Sequence, residues 1–181
     1  FPMRIATRVW ITGASGRLGS ALSRLFGGTA AYKLLTSDHD VPVGDNRAVN
    51  RFADMNRPDV IINCAGLTDV RECELDPEHA YKVNALGARN LAVAARRLDA
   101  KLIQISTDDV FDGTASGALC EFDEPHPVTM YGKSKYAGEK LVRELTDKHW
   151  IVRSSWLYGA RTYDFVDAVL DRASTGGPLS P

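Results

Sequence analysis

The sequence is poor in cysteine, poor in aromatic residues, and carries no excess of charge of either sign. Three cysteines, Cys64, Cys73 and Cys120, stand in 181 residues. An odd number without metal or redox spacing argues against a disulfide framework and points to a reducing, cytoplasmic setting. Lysine and arginine number 22 against 23 acidic residues, a net charge of −1. Nucleic-acid binders usually carry a basic excess, so no nucleic-acid partner is expected. No apolar run approaches the ~20 residues of a membrane span, so no membrane partner is expected either. The start, Phe1-Pro2-Met3-Arg4, lacks the apolar core of a signal peptide; Phe1 and Pro2 are expected to be a remnant before a native Met3. The four histidines, His39, His79, His126 and His149, are scattered, and no metal site is expected.

What is present is the balance of a folded domain, 44% hydrophobic and 25% charged. Short β-branched runs alternate with helical patterns. Strands are expected at 8–12, 33–36, 60–64, 101–106 and 150–153. Helices are expected at 17–26, 47–56, 131–145 and about 163–173. A further helix is expected from a cap at Asp76 and Pro77 through Leu98. Its stripe is Ala80, Val83, Asn84, Gly87, Leu91, Ala94, Ala95 and Leu98, at helical spacing. Strand alternating with helix predicts an α/β fold, a doubly wound parallel sheet of Rossmann type. Ligands bind such sheets beyond the carboxyl ends of the strands. The long irregular segment 107–128 falls at one of those ends, where long loops are usually functional.

Gly13-Ala14-Ser15-Gly16-Arg17-Leu18-Gly19 follows the first strand and opens a helix. Glycines spaced three and three suit a tight turn, a backbone approach to phosphate and close helix packing. An ordinary glycine-rich turn is the alternative. Asp38, just past the second strand, suits a ribose hydroxyl and hence NAD. Arg17 suits a 2′-phosphate and hence NADP. Tyr131 and Lys135 lie four residues apart on a face that continues through Ser134, Gly138, Val142 and Leu145, so that face points inward. A buried lysine needs a partner. Beside a phenol it would lower the phenol's pKa toward neutrality, fitting Tyr131 to pass a proton to a carbonyl oxygen. Ser106-Thr107, ending the fourth strand, offers a hydroxyl to the same oxygen. Asn84, polar on an apolar stripe, suits a contact near a cofactor or a core asparagine bonded to backbone.

These residues resemble the extended short-chain dehydrogenase/reductase superfamily, and within it the dTDP-4-dehydrorhamnose reductases. The resemblance rests on Gly13 to Gly19, Arg57-Pro58-Asp59-Val60-Ile61-Ile62-Asn63-Cys64-Ala65-Gly66 and Val83-Asn84-Ala85. It continues through Ser106-Thr107-Asp108 with Val110-Phe111-Asp112-Gly113, then Tyr131-Gly132-Lys133-Ser134-Lys135 with Ala137-Gly138-Glu139-Lys140, and Arg153-Ser154-Ser155-Trp156-Leu157-Tyr158. It implies a triad of Thr107, Tyr131 and Lys135, with Tyr131 as proton donor. It implies cofactor contacts from Gly13, Ser15, Gly16, Arg17, Leu18, Asp38, Cys64, Ala65, Gly66, Asn84 and Ser106, besides Tyr131 and Lys135. It implies substrate contacts from Thr107, Asp108 and Trp156.

The activity so implied is reduction of the C4 keto group of a dTDP-4-keto-6-deoxy sugar by NAD(P)H, leaning to NADP(H), in deoxysugar or polysaccharide synthesis. A sugar-nucleotide epimerase or dehydratase is the alternative enzyme. A regulatory module like the beta subunit of methionine adenosyltransferase is the alternative outside catalysis. The family often forms dimers, which leaves a homodimer open. Asp109 stands where the family commonly has tyrosine, at a probable substrate contact. The nucleotide-binding domain is expected over 3–175, with 176–181 beginning a sugar-binding lobe that is largely absent. On that ground the chain is expected to bind cofactor without turning over substrate.

Overall fold

The computed structural model describes residues 6–159 and 165–176. Five strands form one all-parallel sheet: β1 (Thr7–Thr12), β2 (Tyr32–Ser37), β3 (Val60–Asn63), β4 (Lys101–Thr107) and β5 (His149–Ser154). Their order across the sheet is β2-β1-β3-β4-β5. The winding reverses between β1 and β3, which opens a crevice at their carboxyl ends. The doubly wound reading therefore holds. Cys64, Cys73 and Cys120 are free thiols, of which Cys73 is buried.

Among the described residues, seven α-helices accompany the strands: α1 (Arg17–Gly27), α2 (Asn46–Asn56), α3 (Val70–Leu75), α4 (Pro77–Tyr81), α5 (Gly87–Leu98), α6 (Met130–Leu145) and α7 (Phe165–Ser174). One face of the sheet packs Trp10, Ile61 and Leu102 against α2, α5 and α6 through Val49, Ala53, Leu91, Ala95 and Val142. The other face packs Val9, Ile11 and Ile62 beneath Leu22 and Phe26 of α1. Trp10 is fully buried, stacks on Phe52 at 4.6 Å and donates its indole N–H to Ser37 Oγ at 2.8 Å.

The caps explain most helix starts. Asp45 accepts from the N–H groups of Arg47 and Ala48, and Asp76 from that of His79, with Pro77 in the first turn. Two expectations are corrected. The helix read as continuous from Asp76 to Leu98 is α4, a π-helical turn at Lys82–Leu86, and α5. The wider turn moves the buried face, so Asn84, Ala85 and Ala88 go inward together. Helix α3 was not expected, because six residues capped by Asp69 are too short to show a periodic stripe. The last helix, expected from about 163, lies at Phe165–Ser174; residues 163 and 164 fall outside the described ones.

The carboxyl ends of three strands are tied by side chains. Thr12 Oγ1 donates to Asn63 Oδ1 at 2.7 Å, and Asn63 Nδ2 donates to Gln104 Oε1 at 2.8 Å. The three residues stand in register across β1, β3 and β4. Each is buried, so each polar atom needs such a partner. This ladder ties β1, β3 and β4 to one another within the sheet.

Candidate active site

The glycine loop forms the first wall. Gly13 has φ of +62°, and a Cβ there would lie 2.8 Å from the Ala65 backbone. A Cβ on Gly19 would lie 2.1 Å from the Gly13 carbonyl oxygen. The loop therefore lies flat on the irregular segment that follows β3, and α1 begins directly against it. Gly16 caps α1 without a side-chain bond, and the first turn holds no acidic residue. The positive end of the helix dipole is left for an anion.

A cavity of about 600 Å³ opens beside this loop, lined by Gly13, Ser15, Gly16, Asp38, Ala65 and Lys82 among others. Asp38 sits where a ribose-binding acid is expected, and its Oδ2 accepts the Ser15 N–H at 2.6 Å. Arg17 is exposed and donates to the Leu157 carbonyl at 3.0 Å, across the crevice. A second cavity of about 410 Å³ holds Thr107, Tyr131 and Lys135 together. It is also lined by Leu18, Ser106, Asp108, Asp109 and Trp156. Gly16, Cys64 and Gly66 line both cavities, so the two adjoin along these residues. A flat loop with no room for a side chain at Gly13 or Gly19, leading to a phenol and a buried ammonium, fits a dinucleotide laid from the glycine loop to Thr107, Tyr131 and Lys135.

Thr129 starts α6 by accepting from the Gly132 N–H at 2.9 Å, while Glu74 of α3 accepts the Met130 N–H at 2.7 Å. The first turn of the helix carrying Tyr131 is thus held from two sides. Lys135 is buried, as its stripe implies, and its Nζ donates to the Ile105 carbonyl at 2.7 Å. Burial pulls its ammonium down to about 8, against the opposing charges of Glu139 and Cys64. Lys133 and Lys140 are exposed, as expected.

The Tyr131 phenol departs from the expectation. Its pKa is raised: burial pushes it up, the Thr107 hydrogen bond pulls it down, and the Asp109 carboxylate adds to the rise. The Lys135 ammonium, expected to lower it, donates to the Ile105 carbonyl, and burial, Thr107 and the nearby acids set the phenol. Asp109 lines the cavity beside Tyr131, and its own carboxyl is pushed up by burial and by Asp108. The Cys64 thiol is raised to about 11 by burial, so it forms an unreactive wall.

Ser106 and Asn84 are both engaged by bonds within the fold. The Ser106 hydroxyl donates to Glu139 Oε1 at 2.6 Å, so Thr107 is the strand-end hydroxyl beside Tyr131. Asn84 is buried; its amide donates to the Leu67 carbonyl and to Ser134 Oγ, and its Oδ1 accepts the Leu67 N–H, each at 2.9 Å. It shapes the strand-end loop by backbone bonds, the second of its two readings. Trp156 is 72% exposed and packs on Phe165 at 4.9 Å, at the rim of the cavity. Glu139 and Glu74 were missed as supporting residues. Glu139 lies four residues after Lys135 on the same inward face, a placement visible in the sequence; the Glu74 contact spans 56 residues and leaves no local trace.

A doubly wound sheet with this loop and triad defines a dinucleotide-binding domain of the extended short-chain dehydrogenase/reductase class. More narrowly, residues 7–180 match the family model described as the RmlD substrate binding domain, and the chain belongs to that family. The chain is 40% identical over 164 residues to dTDP-4-dehydrorhamnose reductase of Aggregatibacter actinomycetemcomitans, covering 90% of this chain and 56% of that protein. It is 36% identical over 169 residues to spore coat polysaccharide biosynthesis protein SpsK of Bacillus subtilis, covering 93% and 60%. The crystal structure of dTDP-4-dehydrorhamnose reductase from Bacillus anthracis in complex with NADP superposes with a TM-score of 0.90 at 40% identity, covering 94% of this chain and 61% of that one. The chain thus spans somewhat over half the length of the relatives it matches. No helix among the described residues is long and apolar enough to cross a membrane.

Proposed function

We propose that this chain is the nicotinamide-binding part of a reductase that turns the C4 keto group of a dTDP-4-keto-6-deoxy sugar into an alcohol. The observation that carries the reading is the meeting of Thr107, Tyr131 and Lys135 in one cavity that runs on to the glycine loop. NADP(H), when bound, supplies the hydride that the carbonyl carbon receives. NADP(H) is favoured over NAD(H) because a 40% identical relative is solved with NADP. The nucleotide-binding domain is assigned to 3–175, and 176–181 to the start of the sugar-binding lobe.

Gly13, Ser15, Gly16, Arg17 and Leu18 would hold the pyrophosphate side, Asp38 the adenosine ribose, and Cys64, Ala65 and Gly66 the run between the cavities. Asn84 keeps Leu67 and Ser134 in place around that run. The Thr107 hydroxyl orients the carbonyl oxygen, and the Tyr131 phenol gives it the proton. A raised phenol pKa keeps that proton in place at neutral pH until a better acceptor, the developing alkoxide, arrives. The Lys135 ammonium, largely charged at neutral pH, would bind the nicotinamide ribose and offset the phenolate. Asp108 and Trp156 would meet the sugar at the outer rim, with Asp109 beside them.

The test is oxidation of NADPH and NADH by the full-length protein with a dTDP-4-keto-6-deoxy sugar. Turnover that Tyr131→Phe abolishes supports the reading. Tight cofactor binding without turnover removes the substrate assignment, and cofactor that survives purification turns it toward an epimerase.

A further inference from the structure

Glu139 is fully buried, yet it is a carboxylate. Its Oε1 accepts from Ser106 Oγ at 2.6 Å and Arg153 Nε at 2.9 Å. Its Oε2 accepts from Arg153 Nη2 at 2.7 Å and Arg143 Nη2 at 3.2 Å. Four donors satisfy the group, and its pKa is held below the usual carboxylate range despite burial. Arg153 lies in turn over the Phe111 ring at 5.0 Å. A buried ion pair of this kind is weak evidence for stability, because well-packed apolar residues often do as well. Its position says more. Ser106 stands between Ile105, whose carbonyl accepts a hydrogen bond from Lys135, and Thr107 of the proposed triad. Arg153 precedes Ser154, Ser155 and Trp156, which wall the same cavity. Glu139 itself lies one turn after Lys135.

We propose that Glu139 is a positioning residue for the Thr107–Tyr131–Lys135 site: its carboxylate clasps Ser106 of β4 and Arg153 of β5, holding the two strand ends in register with α6. Its charge also opposes the buried ammonium. The other titratable groups around Lys135 are Cys64 after β3 and, in the same cavity, Arg17, Asp108, Asp109 and Tyr131. Glu139 heads the opposing charges that keep the lysine protonated.

The inference rests on the proposed reading of the triad, so its first readout needs neither cofactor nor sugar. The Lys135 Nζ is followed by nitrogen-detected NMR titration of the chain, assigned by its loss in Lys135→Arg. Glu139→Gln should bring the ammonium pKa to about 7 or below. Ser106→Ala leaves the Glu139–Arg153 pair intact and should speed hydrogen exchange at the Lys135 ammonium about 10-fold, by loosening the Ile105 carbonyl. The second readout is turnover by the full-length protein, where Ser106→Ala should lower kcat about 10-fold with the cofactor KM held within about 2-fold. An unmoved Lys135 titration in Glu139→Gln, or a Ser106→Ala protein that loses thermal stability alone, overturns the inference. If Glu139→Gln does not fold, the two Ser106→Ala readouts decide it. If the parent protein turns over no sugar, the reductase reading fails and the lysine readouts decide Glu139 by themselves.

Discussion

Asp38 accepts the backbone N–H of Ser15 at 2.6 Å, tying the end of β2 to the middle of the glycine loop. The carboxylate therefore fixes the loop, and in the proposed reading its other oxygen is the acceptor for an adenosine ribose. Replacement by alanine removes both a ribose acceptor and a negative charge from the place a 2′-phosphate would occupy. Asp38→Ala should weaken NADH binding about 10-fold and NADPH binding less, moving the preference toward NADPH. Titration of the two cofactors by fluorescence, reported as a ratio of Kd values, checks this. Equal losses for both would assign Asp38 to the loop alone.

Tyr131→Phe removes the proposed proton donor while leaving the ring that fills the space. The hydroxyl engages Thr107 and no backbone group that holds α6. The substitution should lower kcat of the full-length protein by about 10²–10⁴-fold and leave cofactor Kd within about 3-fold. Stopped-flow kinetics with a single turnover separates the chemical step from binding. A Kd that worsens in step with kcat would place Tyr131 in binding rather than in proton transfer.

The parts of this site written in local patterns were legible in the sequence. The loop from Gly13 to Gly19 sits between a strand and a helix, and the four-residue spacing of Tyr131 and Lys135 sets both on one face whatever surrounds them. The electrostatics were not legible. That Lys135 bonds Ile105, that Ser106 bonds Glu139 and that Asp109 stands beside Tyr131 are all consequences of how β4, the turn after it and α6 dock, across 22 to 33 residues of chain. The run Val60 to Cys64 reads as apolar, yet Asn63 is the middle rung of the Thr12–Gln104 ladder. A single buried asparagine among valine and isoleucine breaks no periodicity, so only the neighbouring strands reveal its partners. The π-helical turn at Lys82–Leu86 is hidden for a related reason: one extra residue per turn shifts a stripe without erasing it.

Gly19 tests the close packing of loop on helix. A methyl group there would meet the Gly13 carbonyl oxygen at 2.1 Å and the Ala14 Cα at 2.9 Å, both backbone atoms that cannot rotate away. Gly19→Ala should therefore cost about 1–3 kcal/mol of stability through displaced backbone, and should abolish measurable cofactor binding. Gly117→Ala is the control, since nothing lies within 4 Å of the added carbon. Chemical denaturation and cofactor titration on both variants check the pair. Binding retained in Gly19→Ala would mean that the loop can shift without losing the phosphate cradle.

Lys135 should show a conflict between stability and function. Its ammonium is held at about 8 in the folded chain, below the ordinary lysine value of 10.5, because burial disfavours the charge. The folded state therefore binds fewer protons than the unfolded state between about pH 8 and 10.5, and in that window stability rises with pH. Below about 8 both states carry the proton and the full burial penalty is felt. Lys135→Met replaces the charge with an apolar chain of similar length, at the loss of one bond to the Ile105 carbonyl. It should unfold at a temperature equal to or above that of the parent near pH 7, with the difference narrowing as pH approaches about 10. The same variant should lose turnover in the full-length protein. Thermal unfolding of parent and variant across this range is the measurement. A variant that is less stable at every pH, by a constant margin, would show that the Ile105 bond outweighs the buried charge.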